Sequence, residues 1–396
     1  MKIIITNVYC YQNKGDAGIV VSIIENLKKK FPDAKIKIVS LYPEIDNGKY
    51  DPDVEVLPPI LIYKEEKNKY LTTISNFCQI IIKSIKYKTK AFNTKTEKEI
   101  ANADLIVSCG GGYMQARSLK QFVNGMSYHY LQLLCAKEAR KNYVIFAQTI
   151  GPFSNITQEI VKPIMEKAKV VLAREEISYK YSLNAFPKAN IKLTTDTAFL
   201  LKSHPVDKIF PDGQMKIGIT VRKWVYPGYD IKSMNEKYIN AFSGFIDKVI
   251  EEYGAKIYIM PQCIGPGSDN DLIMSRNVMK QVKHKDYCEL LEGDYSPGQL
   301  KYIYSKMDYF VGTRMHSNIF SLAEAVPCLA VSYDYKTDGI MRLIGMDNYV
   351  LNINEISQQN LWDLFIQLVS NGYVKEELRK KVENIKQDAS YNYDLL

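Results

Sequence analysis

Short, nearly unbroken apolar runs recur along this chain, separated by stretches in which apolar residues return at helical spacing. The first series comprises residues 3–6, 36–41, 105–108, 143–147 and 170–173, with a helical stretch at 17–31 between the first two. A second series starts near residue 216 and comprises 217–221, 255–260, 309–311 and 328–332. Strands that are apolar on both faces belong to parallel sheets covered by helices, and strand–helix alternation is the mark of an α/β fold. Two series predict two Rossmann-like domains with a cleft between them, ligands lying beyond the carboxyl ends of the strands. The polar, Pro- and Gly-bearing stretch 203–213 is the expected divide. It gives an N-terminal domain at 1–205 and a C-terminal domain at 212–396 whose final helix is able to pack back on the first. Residues 1–6 read as the first buried strand, not as a targeting segment.

One segment breaks the alternation. From residue 70 to 85, Leu71, Ile74, Phe77, Cys78, Ile81, Ile82 and Ile85 form a helical stripe, and Lys83, Lys86, Lys88 and Lys90 follow with no acid before Glu97. This is either a core-facing helix with a solvated lysine tail or a basic amphipathic helix, 70–90, lying on an anionic membrane surface. No run reaches the roughly 18 uncharged apolar residues of a membrane span. The net charge of +8 favours anionic partners, but no nucleic-acid signature accompanies it. Seven scattered cysteines without a Cys-x-x-Cys pair read as free thiols of a cytoplasmic protein, and no metal site is expected because the histidines lack ligand-spaced partners.

The candidate chemistry sits at strand ends. Gly312-Thr313-Arg314-Met315-His316-Ser317 follows an apolar strand and precedes an apolar helix. A helix N-terminus there offers N–H groups and partial positive charge to an anion, arginine adds a donor fork, and histidine adds a proton carrier. Taken alone, the pair reads first as an arginine matched to a local acid and a satisfied core histidine, and its strand-end context turns the reading toward an anion site. Asn13-Lys14-Gly15-Asp16 follows the first strand without the Gly-x-Gly-x-x-Gly spacing of a dinucleotide site. Gly15 permits close backbone approach, and Asp16 is a helix cap or a carboxylate facing the cleft, able to accept hydroxyl protons. Gly110-Gly111-Gly112 is either a cleft-lining loop or a tight turn, and Gln148, at the end of another strand, carries the same ambiguity. Arg222 ends the first strand of the second series, as Arg314 ends a later one, so the two arginines could share one small anion. Lys223 and Trp224 beside it could add charge and stacking. Asp334 and Asp338 read as caps of the following helix or as cleft residues.

In order and spacing these motifs resemble the polysaccharide pyruvyl transferase family. The match rests on Asn13-x-Gly15-Asp16, Asp104 to Gly112, Ala147 to Phe153, Ala173-Arg174-Glu175-Glu176-x-Ser178 and Thr195 to Phe199. Most specific is the run from Gly312 through Pro327 to Ser332-Tyr333-Asp334, with Met315 where the family usually has leucine. The resemblance implies a GT-B-type glycosyltransferase architecture, a phosphoenolpyruvate donor, and an acceptor sugar bearing two suitably placed hydroxyls. The product would be a cyclic pyruvate ketal, with phosphate released and no metal or organic cofactor. Members decorate capsular, exopolysaccharide or cell-wall glycans, often on lipid-linked intermediates, which implies a cytoplasmic protein at the inner face of the membrane. Arg314 and His316 map to the family's donor-binding and catalytic pair, with Thr313 and Ser317 in the same run. Arg222 maps to a further donor arginine, and Asp16 would serve as base or acceptor ligand. Asn13, Gly15, Gly110, Gly111, Gly112 and Gln148 would line the acceptor side. Two rival readings stand beside this one. A nucleotide-sugar glycosyltransferase would use Arg314 for a diphosphate and Glu324 for a ribose. A non-catalytic glycan- or anion-binding protein would have had no need to keep every strand-end polar group in order.

Overall fold

The computed structural model of the chain describes residues 1–62, 69–223, 228, 230–265 and 270–396. Its strands are β1 (Lys2–Val8), β2 (Lys35–Ser40), β3 (Glu55–Leu57), β4 (Leu105–Ser108), β5 (Gly111–Ala116), β6 (Tyr143–Phe153), β7 (Val170–Ala173) and β8 (Ile191–Leu193) in one sheet. β9 (Lys216–Thr220), β10 (Lys256–Ile259), β11 (Cys288–Leu290), β12 (Tyr309–Gly312), β13 (Cys328–Ser332) and β14 (Val350–Asn352) form the other. Every pairing is parallel. The central strands are buried throughout, as in β4, β7 and β13, which is why they are written in Val, Ile, Leu and Ala with no polar alternation.

The second sheet runs β11-β10-β9-β12-β13-β14. The first runs β3-β2-β1-β4-β6-β7-β8, with β5 added against β6. Both are doubly wound: the strand order reverses beside β1 in one sheet and beside β9 in the other, so each has a switch point where the chain leaves neighbouring strands in opposite directions. Helix starts are fixed by short polar side chains. Ser154, Ser296 and Ser357 accept from backbone N–H groups of their own first turns, and Thr94 forms a capping box with Glu97.

The chain divides into two compact units: Met1–Tyr11 with Ile19–Thr197 and Asp388–Leu396, and Gln12–Gly18 with Ala198–Gln387. The divide thus falls at residue 197, ahead of the Pro- and Gly-bearing stretch, and a seven-residue segment near the N-terminus belongs with the second unit. Backbone pairing explains the exchange. Asn13 bridges Cys263, the Lys14 N–H donates to the Gln262 carbonyl at 3.1 Å, and the Ile264 N–H donates to that of Gln12 at 3.0 Å. The buried Lys14 ammonium adds an ion pair to Asp294 at 2.8 Å. At the other end of the chain, the Asn392 amide donates to the Thr195 carbonyl at 3.2 Å within the first unit.

Two local expectations are corrected. Gly110–Gly112 is not a turn into a helix: Gly111 opens β5, which continues beside β6. Gln148 does not end its strand, because pairing with β5 carries β6 on to Phe153. Glycine-rich sequence hides a strand from an apolar-run reading. The short edge strands β3, β8, β11 and β14 carry no long apolar run either.

Candidate functional site

In the second unit, the switch point lies between the ends of β9 and β12. Gly312 closes β12 and must lack a side chain, since a Cβ there would lie 1.9 Å from the Asn318 side-chain oxygen. Arg314 then takes the cap position of helix Met315–Ala323, and its carbonyl accepts from the N–H groups of Ser317 and Asn318 at 3.0 and 3.1 Å. Hydroxyls tie this turn to the neighbouring strand and to helix Ile231–Tyr253: Thr220 of β9 meets Ser317 at 2.7 Å, and Tyr238 of the helix meets Thr313 at 2.6 Å. Thr313 and Ser317 are fully buried, so their hydroxyls hold the loop.

The Arg314 guanidinium is nine-tenths buried and paired with Asp271. Its Nε lies 3.1 Å from both carboxylate oxygens and its Nη2 lies 2.6 Å from Oδ1. Asp271 also accepts the N–H groups of Gln262 at 3.2 Å and Cys263 at 2.8 Å. The local acid that would match the arginine therefore exists, and it fixes the plane of the fork. Asp271 carried no sequence signal beyond being an acid at a helix start, 43 residues upstream of its partner.

His316 sits in the first turn of the same helix, its Nδ1 4.0 Å from Asp16 Oδ1. Asp16 is not the cap of its own helix, Lys14–Lys30. Asn13 fills that place, accepting from the Asp16 N–H at 3.3 Å while its amide donates to Asp16 Oδ2 at 2.7 Å. Asn13 thereby holds the carboxylate whose other oxygen faces His316 Nδ1 at 4.0 Å. Gly15 makes the approach possible: a Cβ on it would fall 2.5 Å from His316 Cβ and Nδ1.

Arg222, two residues beyond β9, lays its guanidinium over the Tyr333 ring at 4.3 Å. Lys336 lies 5.9 Å from the same ring. Burial pushes the Tyr333 phenol up, but Arg222, Lys336 and Arg314 together outweigh it and hold the group below its ordinary range, with Asp334 opposing them. Arg222 and Lys336 thus share the face of one half-buried ring. Tyr333 lies in the most specific motif run and Lys336 follows it, but neither stands among the site residues read from sequence. Asp334 stands at the cap position of helix Tyr335–Leu343 without a capping hydrogen bond and pairs with Lys336 at 3.5 Å. Trp224 lies outside the described residues. Glu324 is engaged by Ser203 at 2.8 Å and Lys301 at 3.4 Å.

Gly110, Gly111, Gly112 and Gln148 belong to the first unit, at the carboxyl edge of its sheet. Gln148 is buried and donates to the Cys109 carbonyl at 2.6 Å, so it clamps the glycine segment. The neighbouring motif residues are a buried polar brace. Arg174 pairs with Asp196 at 2.6 Å and donates to Thr149 at 2.8 Å, and Glu175 accepts the Ser178 N–H at 2.9 Å. Among the described residues, no group of three or more His, Cys, Asp or Glu is placed to hold a metal ion.

Two Rossmann-like units of this kind are shared with GT-B-like epimerases and glycosyltransferases. The chain is similar to the UDP-GlcNAc 2-epimerase of Neisseria meningitidis solved with UDP-GlcNAc, at 12% identity and TM-score 0.56 over 100% of this chain and 99% of that one. It is similar to S. aureus MnaA solved with UDP, at 12% identity and TM-score 0.58 over 100% and 98%. The glycotransferase of kitacinnamycin gives 8% identity and TM-score 0.58 over 100% and 97%. Identities this low speak for the fold alone. The family follows from sequence: a profile of the polysaccharide pyruvyl transferases matches residues 13–335, and the chain belongs to that family. It is also 24% identical to the amylovoran biosynthesis protein AmsJ of Erwinia amylovora, over 96% of this chain and 94% of the relative.

Proposed function

We propose that this chain transfers a pyruvyl group from phosphoenolpyruvate to two hydroxyls of a sugar, forming a cyclic ketal and releasing phosphate. The observation that carries the reading is the placement of Arg222 and Lys336 on the Tyr333 ring, at 4.3 and 5.9 Å, with the Asp16–His316 pair in the same unit. Phosphoenolpyruvate brings a phosphate and a carboxylate, and Arg222, Arg314, Lys336 and the start of helix Met315–Ala323 offer matching charge. His316 gives a proton to the methylene carbon, which becomes the methyl group of the ketal. The first sugar hydroxyl adds to the enol carbon and loses its proton, with Asp16 as acceptor. The C–O bond to phosphate breaks, and the second hydroxyl closes the ketal, its proton passing to the departing phosphate. No metal or organic cofactor enters this scheme. A general acid of this kind contributes about 10²–10⁴-fold.

The rival nucleotide-sugar reading needs Glu324 for a ribose, and that carboxylate is already held by Ser203 and Lys301. Phosphate release from phosphoenolpyruvate with lipid-linked galactosides or other hexosides tests the proposal. His316→Ala keeps donor binding and loses turnover. Wild-type turnover in that variant, or nucleotide release from a sugar nucleotide instead of phosphate release, overturns it.

The setting we propose is the inner face of the cytoplasmic membrane, reached through helix Lys69–Lys88. Among the described residues, no helix is long and apolar enough to cross a membrane. This one, however, presents an apolar stripe outward, with Leu71 56%, Ile74 60%, Ile81 44% and Ile85 60% exposed. Its inner face is Asn76, Ile80 and Tyr87. Exposed Lys86, Lys88 and Lys90 flank the stripe, so charge complementarity selects an anionic bilayer as the occupant.

A further inference from the structure

The first unit contains a cavity of about 400 Å³ at the carboxyl edge of its sheet, lined among others by Tyr9, Tyr42, Gly112, Tyr113, Gln115 and Asn124. That lies within the range of about 300–1,000 Å³ for small-molecule sites. His129 forms part of the wall, stacked on Tyr113 with ring centroids 4.0 Å apart and planes 16° from parallel. Tyr9 and Tyr42 meet edge to face at 5.6 Å. Among the described residues, the lining contains no Asp, Glu, Lys or Arg. Burial pushes the His129 imidazole down to about 3, so it is uncharged near neutral pH.

Several polar atoms at this edge are buried without a hydrogen-bond partner among the described residues: His129 Nδ1, Asn7 Oδ1 and Gln148 Oε1. Such atoms are rare in a finished interior, and each calls for a water, an ion or a functional role; of the three, His129 belongs to the cavity lining. Backbone strain collects here too, with Asn7 at φ 67° and Ala147 at φ 44°, both left-handed for non-glycine residues. The Asn7 amide donates to Tyr113 OH at 3.0 Å, so the strained residue is tied to the cavity wall.

Aromatic faces with amide groups and no net charge define the ligand class. A nucleotide or phosphoenolpyruvate would find no cation for its phosphate among the described lining residues. A purely apolar ligand would strip water from Gln115 and Asn124 without replacing its hydrogen bonds. A neutral sugar ring satisfies both halves, with C–H faces against the tyrosines and hydroxyls toward the amides. We infer that this cavity is a binding site for an uncharged hexopyranosyl unit. The inference rests on the reading of the chain as a glycan-modifying transferase, and it places a neutral residue of the acceptor on the first unit. The cavity wall is also bonded to the amphipathic helix. Asn124 donates to Thr73 at 2.9 Å, and Asn76 donates to Tyr128 OH at 3.1 Å, so the sugar site and the membrane-facing stripe form one piece of structure.

The test is photolabelling of the full chain with diazirine-bearing alkyl β-hexopyranosides of galacto, gluco and manno configuration, with a glucuronide as the charged comparison. Crosslinked peptides are mapped by mass spectrometry. Labelling by a neutral probe is expected on peptides spanning 41–61 or 112–129, competed by methyl hexopyranoside, with the glucuronide weak. Tyr42→Ala and Gln115→Leu should each reduce it about fivefold or more, the effect of one lost stacking or hydrogen-bond contact. Melting temperature checks that each variant folds. Labelling elsewhere, no saturable labelling across the panel, or equal labelling by the glucuronide overturns the site. Phosphate release from phosphoenolpyruvate is read separately. Pocket labelling without phosphate release removes the pyruvyl-transfer reading and leaves the sugar site, and the reverse result removes the site alone.

Discussion

Asp271 grips Arg314 along one edge of its guanidinium, with Nη2 to Oδ1 at 2.6 Å and Nε shared between both oxygens at 3.1 Å. The same carboxylate accepts two backbone N–H groups from the segment that pairs with residues 12–14. One buried acid therefore orients the arginine and anchors the strip that carries Asp16.

Asp271→Asn leaves a buried guanidinium without its counter-charge. Breaking a buried pair costs about 3–5 kcal/mol, so a marked drop in unfolding free energy is expected by chemical denaturation. If the donor reading holds, the KM for phosphoenolpyruvate also rises in steady-state kinetics, because the fork loses its fixed orientation. An unchanged stability would mean that the pair contributes little to the fold.

Gly15→Ala tests the contact between the early loop and the histidine. The added Cβ falls 2.5 Å from His316, and the ring must move because its near end is not flexible. Overpacking of this kind costs about 1–3 kcal/mol. The displaced imidazole lowers kcat by about 10²-fold if it is the acid. Turnover and melting temperature, measured together, separate the local displacement from general unfolding.

Glu97 gives a pH signature. Burial raises its carboxyl, but the Lys83 ammonium, the N–H groups of Thr94 and Asn93 and the Tyr87 hydroxyl outweigh that and hold it at about 2, against an ordinary 4.5. The folded value lies below the unfolded one. Its stabilisation is therefore complete above pH 4.5 and is lost as pH falls toward about 2. Urea melts across this window should show the loss, and Glu97→Gln should flatten it. The pairing also removes Lys83 from the solvated lysine run, since its ammonium is taken by Glu97.

Liposome flotation checks the amphipathic helix. Binding to vesicles with anionic lipid is expected to weaken when Ile74 and Ile85 are replaced by Ser, and to fall with salt when Lys86, Lys88 and Lys90 are present. Each basic residue near an anionic surface contributes about 1 kcal/mol, so removing all three should cut binding strongly. Flotation indifferent to both sets rejects the membrane-facing assignment.

The sequence by itself determined the α/β class, the central strands of both sheets, and the strand–turn–helix placement of Arg314 and His316. These are local matters: hydrophobic periodicity reports which strands are buried on both faces, and a glycine between an apolar strand and an apolar helix reports a turn. It also left Arg314 readable as a local ion pair. Only the tertiary structure decided that question in detail, bringing Asp271 across 43 positions to fix the fork and setting Tyr333 under Arg222. It also moved Gln12–Gly18 into the second unit and assembled an uncharged aromatic cavity from four separate stretches of the first. Parallel strands joined by long crossovers place side chains from distant segments at one sheet edge. The pairings made there depend on strand order and register, which no short window of sequence contains.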